Sequence, residues 1–104
     1  MSRIEWTDTG RNSCYSIASF IAEENQSIDG ALHVVDRVEE KCKLLAAFPV
    51  SGLNRSDLAD NLRSAVVDGW VVIYSPLADG IRVILVVEGH RDLPSVVASL
   101  GSND

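Results

Sequence analysis

Between Ser27 and Pro49 the apolar residues Ile28, Ala31, Leu32, Val35, Val38, Cys42 and Leu45 recur every three or four positions. That spacing sets them on one face of an α-helix. Asp29, Asp36, Arg37, Glu40 and Lys43 fall on the other faces, and Glu39 with Lys43 forms an acid-before-base pair at i,i+4. Ser27 is a side-chain N-cap. Pro49 disfavours helical geometry in the residue before it, so the helix ends near Phe48. A stripe this regular is stable only when something covers it, so the rest of the chain has to supply an apolar surface.

A first helix precedes this one. Cys14, Ile17, Ala18 and Ile21 follow i, i+3, i+4, i+7 within Asp8–Asn25, with Phe20 widening the face and Thr7 or Thr9 available as cap. The short connection around Gln26 predicts an antiparallel helical hairpin. Arg3 to Trp6 alternates and reads as a short strand. After the hairpin, Phe48 to Ser64 is loop-like, with one helical turn expected over Ser56–Asn61. Strands are predicted over Leu62–Val67, Trp70–Tyr74 and Ile81–Val87. Asp68-Gly69 is a two-residue hairpin signal, and Ser75–Gly80 supplies the next turn. Pro94 starts a short C-terminal helix in which Val97 and Leu100 can pack back. The expected fold class is α+β: an N-terminal strand and a helical hairpin packed on a three- to four-stranded antiparallel sheet, as one domain over 1–104.

Charge and cysteine usage narrow the function classes. The net charge is −6, with eight carboxylates against five cations through Val50 and seven against four beyond it. Phosphate backbones repel such a surface, which speaks against direct nucleic-acid binding. Cys14 and Cys42 lack ligand spacing and fall on apolar helix faces, so buried thiols are expected and no metal site or cofactor. No apolar run approaches the ~20 residues of a membrane span. A cytoplasmic protein is the default.

The segments "YSIASFIAEEN", "RVEEKCKLLAAFPVSG", "LRS", "VVIYS" and "IRVILVVEGHRD" occur in that order. The ordered set resembles the ParE/RelE superfamily of bacterial type II toxins, nearer the ParE branch of plasmid-stabilisation proteins. The resemblance implies a helical hairpin on a sheet, a cognate antitoxin as partner, and DNA gyrase as a target reached by protein contact. The RelE branch implies a different activity, ribosome-dependent mRNA cleavage. A third possibility is an inactive relative that keeps only the antitoxin-binding fold.

RNA cleavage by 2′-hydroxyl attack needs a base, an acid and cations around the phosphate. The candidates here are Arg63, Arg82, His90 and Arg91, with Arg55, Glu88 and Tyr74 nearby in sequence, and no lysine follows Lys43. That set is thin for a catalyst. Arg63 also reads as a structural arginine fixing the Pro49–Asp60 loop, and His90 with Arg91 as a strand end. Strand alternation puts Ile81, Val83, Leu85 and Val87 on one face and Arg82, Ile84, Val86 and Glu88 on the other. One of these faces needs a cover, either a protein partner or the C-terminal segment. The expected partner-binding residues are therefore Arg63, Trp70, Tyr74, Arg82, Ile84, Val86, His90 and Arg91.

Overall fold

The structure is a computed structural model and describes residues 2–89 and 91–101. Its elements run β1 (Arg3–Trp6), α1 (Asp8–Glu24), α2 (Ile28–Ala47), β2 (Leu53–Asn54), β3 (Arg63–Val67), β4 (Trp70–Leu77), β5 (Gly80–Glu88) and α3 (Leu93–Gly101). The α+β architecture is the expected one. Both helix starts are capped as the residue types require. Thr7 Oγ1 accepts from the Gly10 amide and Ser27 Oγ from the Gly30 amide, each at 2.9 Å. Gln26, at φ 49°, makes the reversal between the helices.

The sheet has the order β1-β5-β4-β3-β2. It carries two features that single-strand patterns do not reveal. β1 pairs with β5 in parallel, so the sheet is mixed. β2 adds a two-residue edge strand against Arg63 and Ser64. Asp68 and Gly69 turn the β3–β4 hairpin at φ 52° and 86°, the left-handed geometry their residue types tolerate.

Ser56–Asn61 forms turns that include one helical turn, with the Leu58 and Ala59 amides donating to the Arg55 carbonyl at 2.9 and 3.4 Å, and no helix grows from it. Other expectations are corrected. β4 continues through Pro76 to Leu77, where a turn was expected from Ser75. β3 ends opposite Tyr74, so beyond that point β4 has β5 on one side only. A proline there removes no ladder hydrogen bond on the open side. Lys43 forms no ion pair with Glu39; instead Arg37 bridges to Glu40 at 3.6 Å and to Asp68 at 3.0 Å, tying α2 to the hairpin turn.

The face assignment of β5 also changes. The register slips between Ile73 and Tyr74 of β4, where Leu85 and Val83 are the consecutive partners and Ile84 is extra. A bulge of one residue inverts the alternation beyond it. Ile81 and Val83 face the helices, and so does Val86, whereas Ile84, Leu85 and Val87 face the other way.

Two cores result. The larger, between helical hairpin and sheet, contains Cys14, Ile17, Ile21, Val38, Cys42, Leu45, Val72, Tyr74, Ile81 and Val83. The smaller lies on the opposite face, where Leu93 and Val97 of α3 pack with Leu62, Val71, Ile73 and Leu85. The C-terminal helix is thus the cover for that face. Both cysteines are free and buried. Burial pushes the Cys42 thiol up to about 12, which keeps it neutral in the core. No buried side-chain nitrogen or oxygen among the described residues lacks a partner. Among them, no helix is long and apolar enough to cross a membrane.

Candidate partner-binding site

The sheet separates the cations that the sequence offered as one candidate set. Arg63 lies opposite Tyr74 in the β3–β4 register and shares its helix-facing side. Its Nη1 donates to the Gly52 carbonyl at 2.8 Å. Arg82 sits between Ile81 and Val83, which face the helices, so it projects from the other side of the sheet. There its Nε donates to Glu5 Oε1 at 2.9 Å. The guanidinium holds the Glu5 carboxyl below the usual carboxylate range. Arg91 follows the far end of β5. The six strand steps from Arg82 to Glu88 span roughly 20 Å. Arg55 is paired with Asp57 at 3.1 Å. His90 lies outside the described residues.

Tyr74 and Val86 were expected to meet a partner, and both are inside the molecule. Tyr74 is 0% exposed and Val86 1%. The Tyr74 hydroxyl donates to the Pro49 carbonyl at 3.1 Å and accepts from the Gly52 amide at 3.0 Å. Burial pushes this phenol above its ordinary value. Together with Arg63, it fastens the strand-less stretch after α2 onto the sheet. The structural reading of Arg63 is the one observed, with a carbonyl as partner. Of the nearby carboxylates, Asp57 is taken by Arg55 and Asp68 by Arg37. Ile84 packs in the α3-side core.

Trp70, Val86 and Arg91 do come together. β1 ends opposite Val83, so beyond it the outer edge of β5 has no neighbouring strand. α1 leaves β1 at Thr7 and crosses this edge instead. Thr7 Oγ1 donates to the Val83 carbonyl at 3.1 Å, and Ser13 Oγ accepts from the Val86 amide at 2.9 Å. One turn further along, a cleft of about 370 Å³ opens between helix and strand. Ser13, Ser16, Ile17 and Phe20 line it from α1, Trp70 from the start of β4, and Val86, Val87 and Glu88 from β5, with Arg91 at its mouth. Trp70 is opposite Glu88 in the register. The walls are an apolar, aromatic surface bordered by one carboxylate and one guanidinium. Such a surface suits a protein side chain and offers no cluster of cations for a phosphate.

Phe20, which periodicity assigned to the core, is 53% exposed and lines the cleft. At ~100° per residue it lies about 240° around from Cys14, well off the buried stripe. That angle was available in the sequence. The proximity of Phe20 to Trp70 was not.

This fold, a helical hairpin laid over a sheet whose first strand runs parallel to its last, can be set beside solved structures. The structure matches a chain of the chromosomal ParDE TA system from P. aeruginosa with a TM-score of 0.70 at 16% identity, covering 85% of this chain and 96% of that one. At that identity the match defines the fold. The sequence goes further: residues 4–94 fit the model of the ParE toxin of the parDE type II toxin–antitoxin system. Toxin ParE3 of Caulobacter vibrioides is 31% identical over 70 residues, which is 67% of this chain and 70% of that protein. The chain belongs to the ParE toxin family.

Proposed function

We propose that this ParE-type toxin acts by protein contact, with DNA gyrase as its target, in the cytoplasm, and that a cognate antitoxin neutralises it. The observation that carries this reading is the dispersal of the described cations. Arg63 is tied to a backbone carbonyl, Arg82 and Arg55 are tied to carboxylates, and Arg91 stands at the other end of the sheet. A ribonuclease needs those charges gathered around one phosphate. The Trp70–Arg91 cleft is a surface for a partner's side chain, and the net charge of −6 opposes a polyanionic substrate. Residues 1–104 act as a single toxin domain in this reading.

Induced expression without antitoxin is expected to arrest growth with a DNA-damage response, and the purified chain to inhibit supercoiling by gyrase. Co-expression of the antitoxin restores growth. Primer extension on translated mRNA is the decisive control. Codon-positioned cuts that disappear in Arg63→Ala and Arg91→Ala would replace this reading with endoribonuclease activity. Normal growth with folded protein present would leave a scaffold that has kept the fold alone.

A further inference from the structure

The two ends of the sheet are finished differently. β2 closes one end with two residues, Leu53 and Asn54. The other end is β1, four residues long, with β5 on one side and, among the described residues, no strand on the other. β1 holds no proline, and its pairing with β5 runs without a bulge from Arg3 to Trp6. A regular open edge of this kind is a template for another strand.

The ladder to β5 fixes which groups the edge offers. The Arg3 amide donates to the Asp79 carbonyl at 2.7 Å and the Thr7 amide to the Val83 carbonyl at 3.1 Å. Alternate residues of a strand turn their N–H and C=O to the same neighbour, so Arg3, Glu5 and Thr7 face β5. Ile4 and Trp6 turn theirs outward. Their side chains pack against the helix-side core. Arg3 and Glu5 project from the other side of the sheet, beside Arg82. There Arg3 meets Glu5 at 3.4 Å and Asp79 at 3.2 Å, and Arg82 meets Glu5 at 2.9 Å. The two arginines balance the two carboxylates, so this strip is neutral in a chain whose net charge is −6. A second copy approaching the edge meets no local excess of like charge. On the helix side a crevice of about 160 Å³ runs beside it, lined by Ile4, Trp6, Glu39, Cys42 and Lys43.

We propose that two copies of the chain pair through β1, antiparallel and centred on Ile4, joining their sheets into one. Ile4 of each copy exchanges N–H···O=C bonds with Ile4 of the other, and Trp6 with Ser2 of the other, about six bonds by symmetry. In this register Arg3 stands directly opposite Glu5 of the second copy, and Glu5 opposite its Arg3. These are the positions without ladder bonds, where side chains approach most closely and opposite charges favour the pair. Sliding the second copy by two residues sets Arg3 against Arg3 in one direction and Glu5 against Glu5 in the other. The charges thus select one register, which an edge of this length otherwise specifies weakly. With the two-fold axis normal to the sheet, both helical hairpins lie on the same face and Ile4 of the second copy borders the crevice. The contact is smaller than the roughly 800 Å² per partner of a standard interface, so the dimer is weak and forms with rising concentration. Nothing in it depends on the target or the antitoxin.

Sedimentation of the full chain from about 10 µM to about 1 mM tests it. The average mass is expected to rise toward that of a dimer across the range. Over the same range the Ile4 and Trp6 amides should exchange more slowly with solvent, and the Glu5 amide, which faces β5, should gain less. Arg3→Glu and Glu5→Arg each place like charges opposite one another and should weaken association by about tenfold. Mixed in equal amounts, these two variants regain an arginine opposite a glutamate at both positions and should associate as the wild type does. Both positions are exposed, and the exchange measurement on the wild type decides the matter where a variant does not fold. A chain that stays monomeric at the highest concentration overturns the proposal. So does a dimer indifferent to both reversals, a mixture that stays apart, or protection centred on the β2–β3 edge or the Trp70 cleft.

Discussion

Tyr74 shows how one side chain can hold a long connection in place. Its ring belongs to the helix-side core, and its hydroxyl reaches the Pro49 carbonyl and the Gly52 amide beyond the end of α2. Gly52 is where the chain passes closest: a Cβ there would lie 2.9 Å from the Ser64 carbonyl and 3.0 Å from the Tyr74 ring. The Arg63 guanidinium completes the clamp on the Gly52 carbonyl. Tyr74→Phe leaves the ring packed but strands the Gly52 amide, and is expected to destabilise the protein by about 1–3 kcal/mol. Hydrogen exchange at the Gly52 amide should quicken well beyond the global change. Lost stability with no local change in exchange would show that the clamp is not what the hydroxyl provides. A tyrosine in a strand pattern is visible in the sequence; a tyrosine whose hydroxyl is spoken for 22 and 25 residues away is not.

At the scale of elements, the joint between β1 and α1 decides how the sheet edge is closed. Thr7 caps α1 through the Gly10 amide while its hydroxyl and amide engage the Val83 carbonyl of β5. It therefore stitches the parallel β1–β5 pair to the helix, beside the bulge at Ile84. Thr7→Val keeps the β-branched shape and removes the oxygen. The expected loss is about 1–2 kcal/mol, larger than that for a cap on a solvent-exposed helix start, read from urea denaturation. An unchanged midpoint would mean that the cap is replaced by water at no cost and that the stitch is incidental. The bulge itself explains why the two faces of β5 were assigned wrongly beyond Val83. Alternation is a sound rule only while the pairing register is continuous, and no residue near Ile84 announces a break.

For the whole molecule, the excess of carboxylates has to be reconciled with acid stability. Glu5 is lowered by Arg82, Asp68 by Arg37 and Asp57 by Arg55, each through a hydrogen-bonded ion pair. A carboxylate whose pKa is lower in the folded chain adds stability above its unfolded pKa. It loses that contribution as the pH falls through the folded value. The urea midpoint should thus decline as the pH drops from about 5 toward 2. Glu5→Gln and Asp68→Asn should each flatten that decline, and concentrated salt should mute it, since the pairs are exposed. An acid limb that is the same in the wild type and in both variants would mean that the pairs contribute nothing to folding. Below the isoelectric point near 4.7 the growing positive charge adds to the decline in all three proteins, so the pairs are read from the difference between wild type and variants.

The sequence by itself determined the elements with the strongest local signals. These are the two capped helices and their stripe, the Asp68-Gly69 hairpin, the buried thiols and the order of strands and helices. Periodicity, capping and turn chemistry act over a few residues, and a linear reading captures them. Tertiary structure decided everything that depends on pairing across the chain. It set β1 parallel to β5, added β2, let Pro76 sit on an open stretch of β4, and inverted β5 at Ile84. It also chose α3 as the cover of the second sheet face and drew Phe20 to Trp70 while sending Arg63 and Arg82 to opposite sides. Which side chains meet is fixed by register and by the path of α1 over the sheet edge. Both are properties of contacts between residues some 76 positions apart, and no local pattern encodes them.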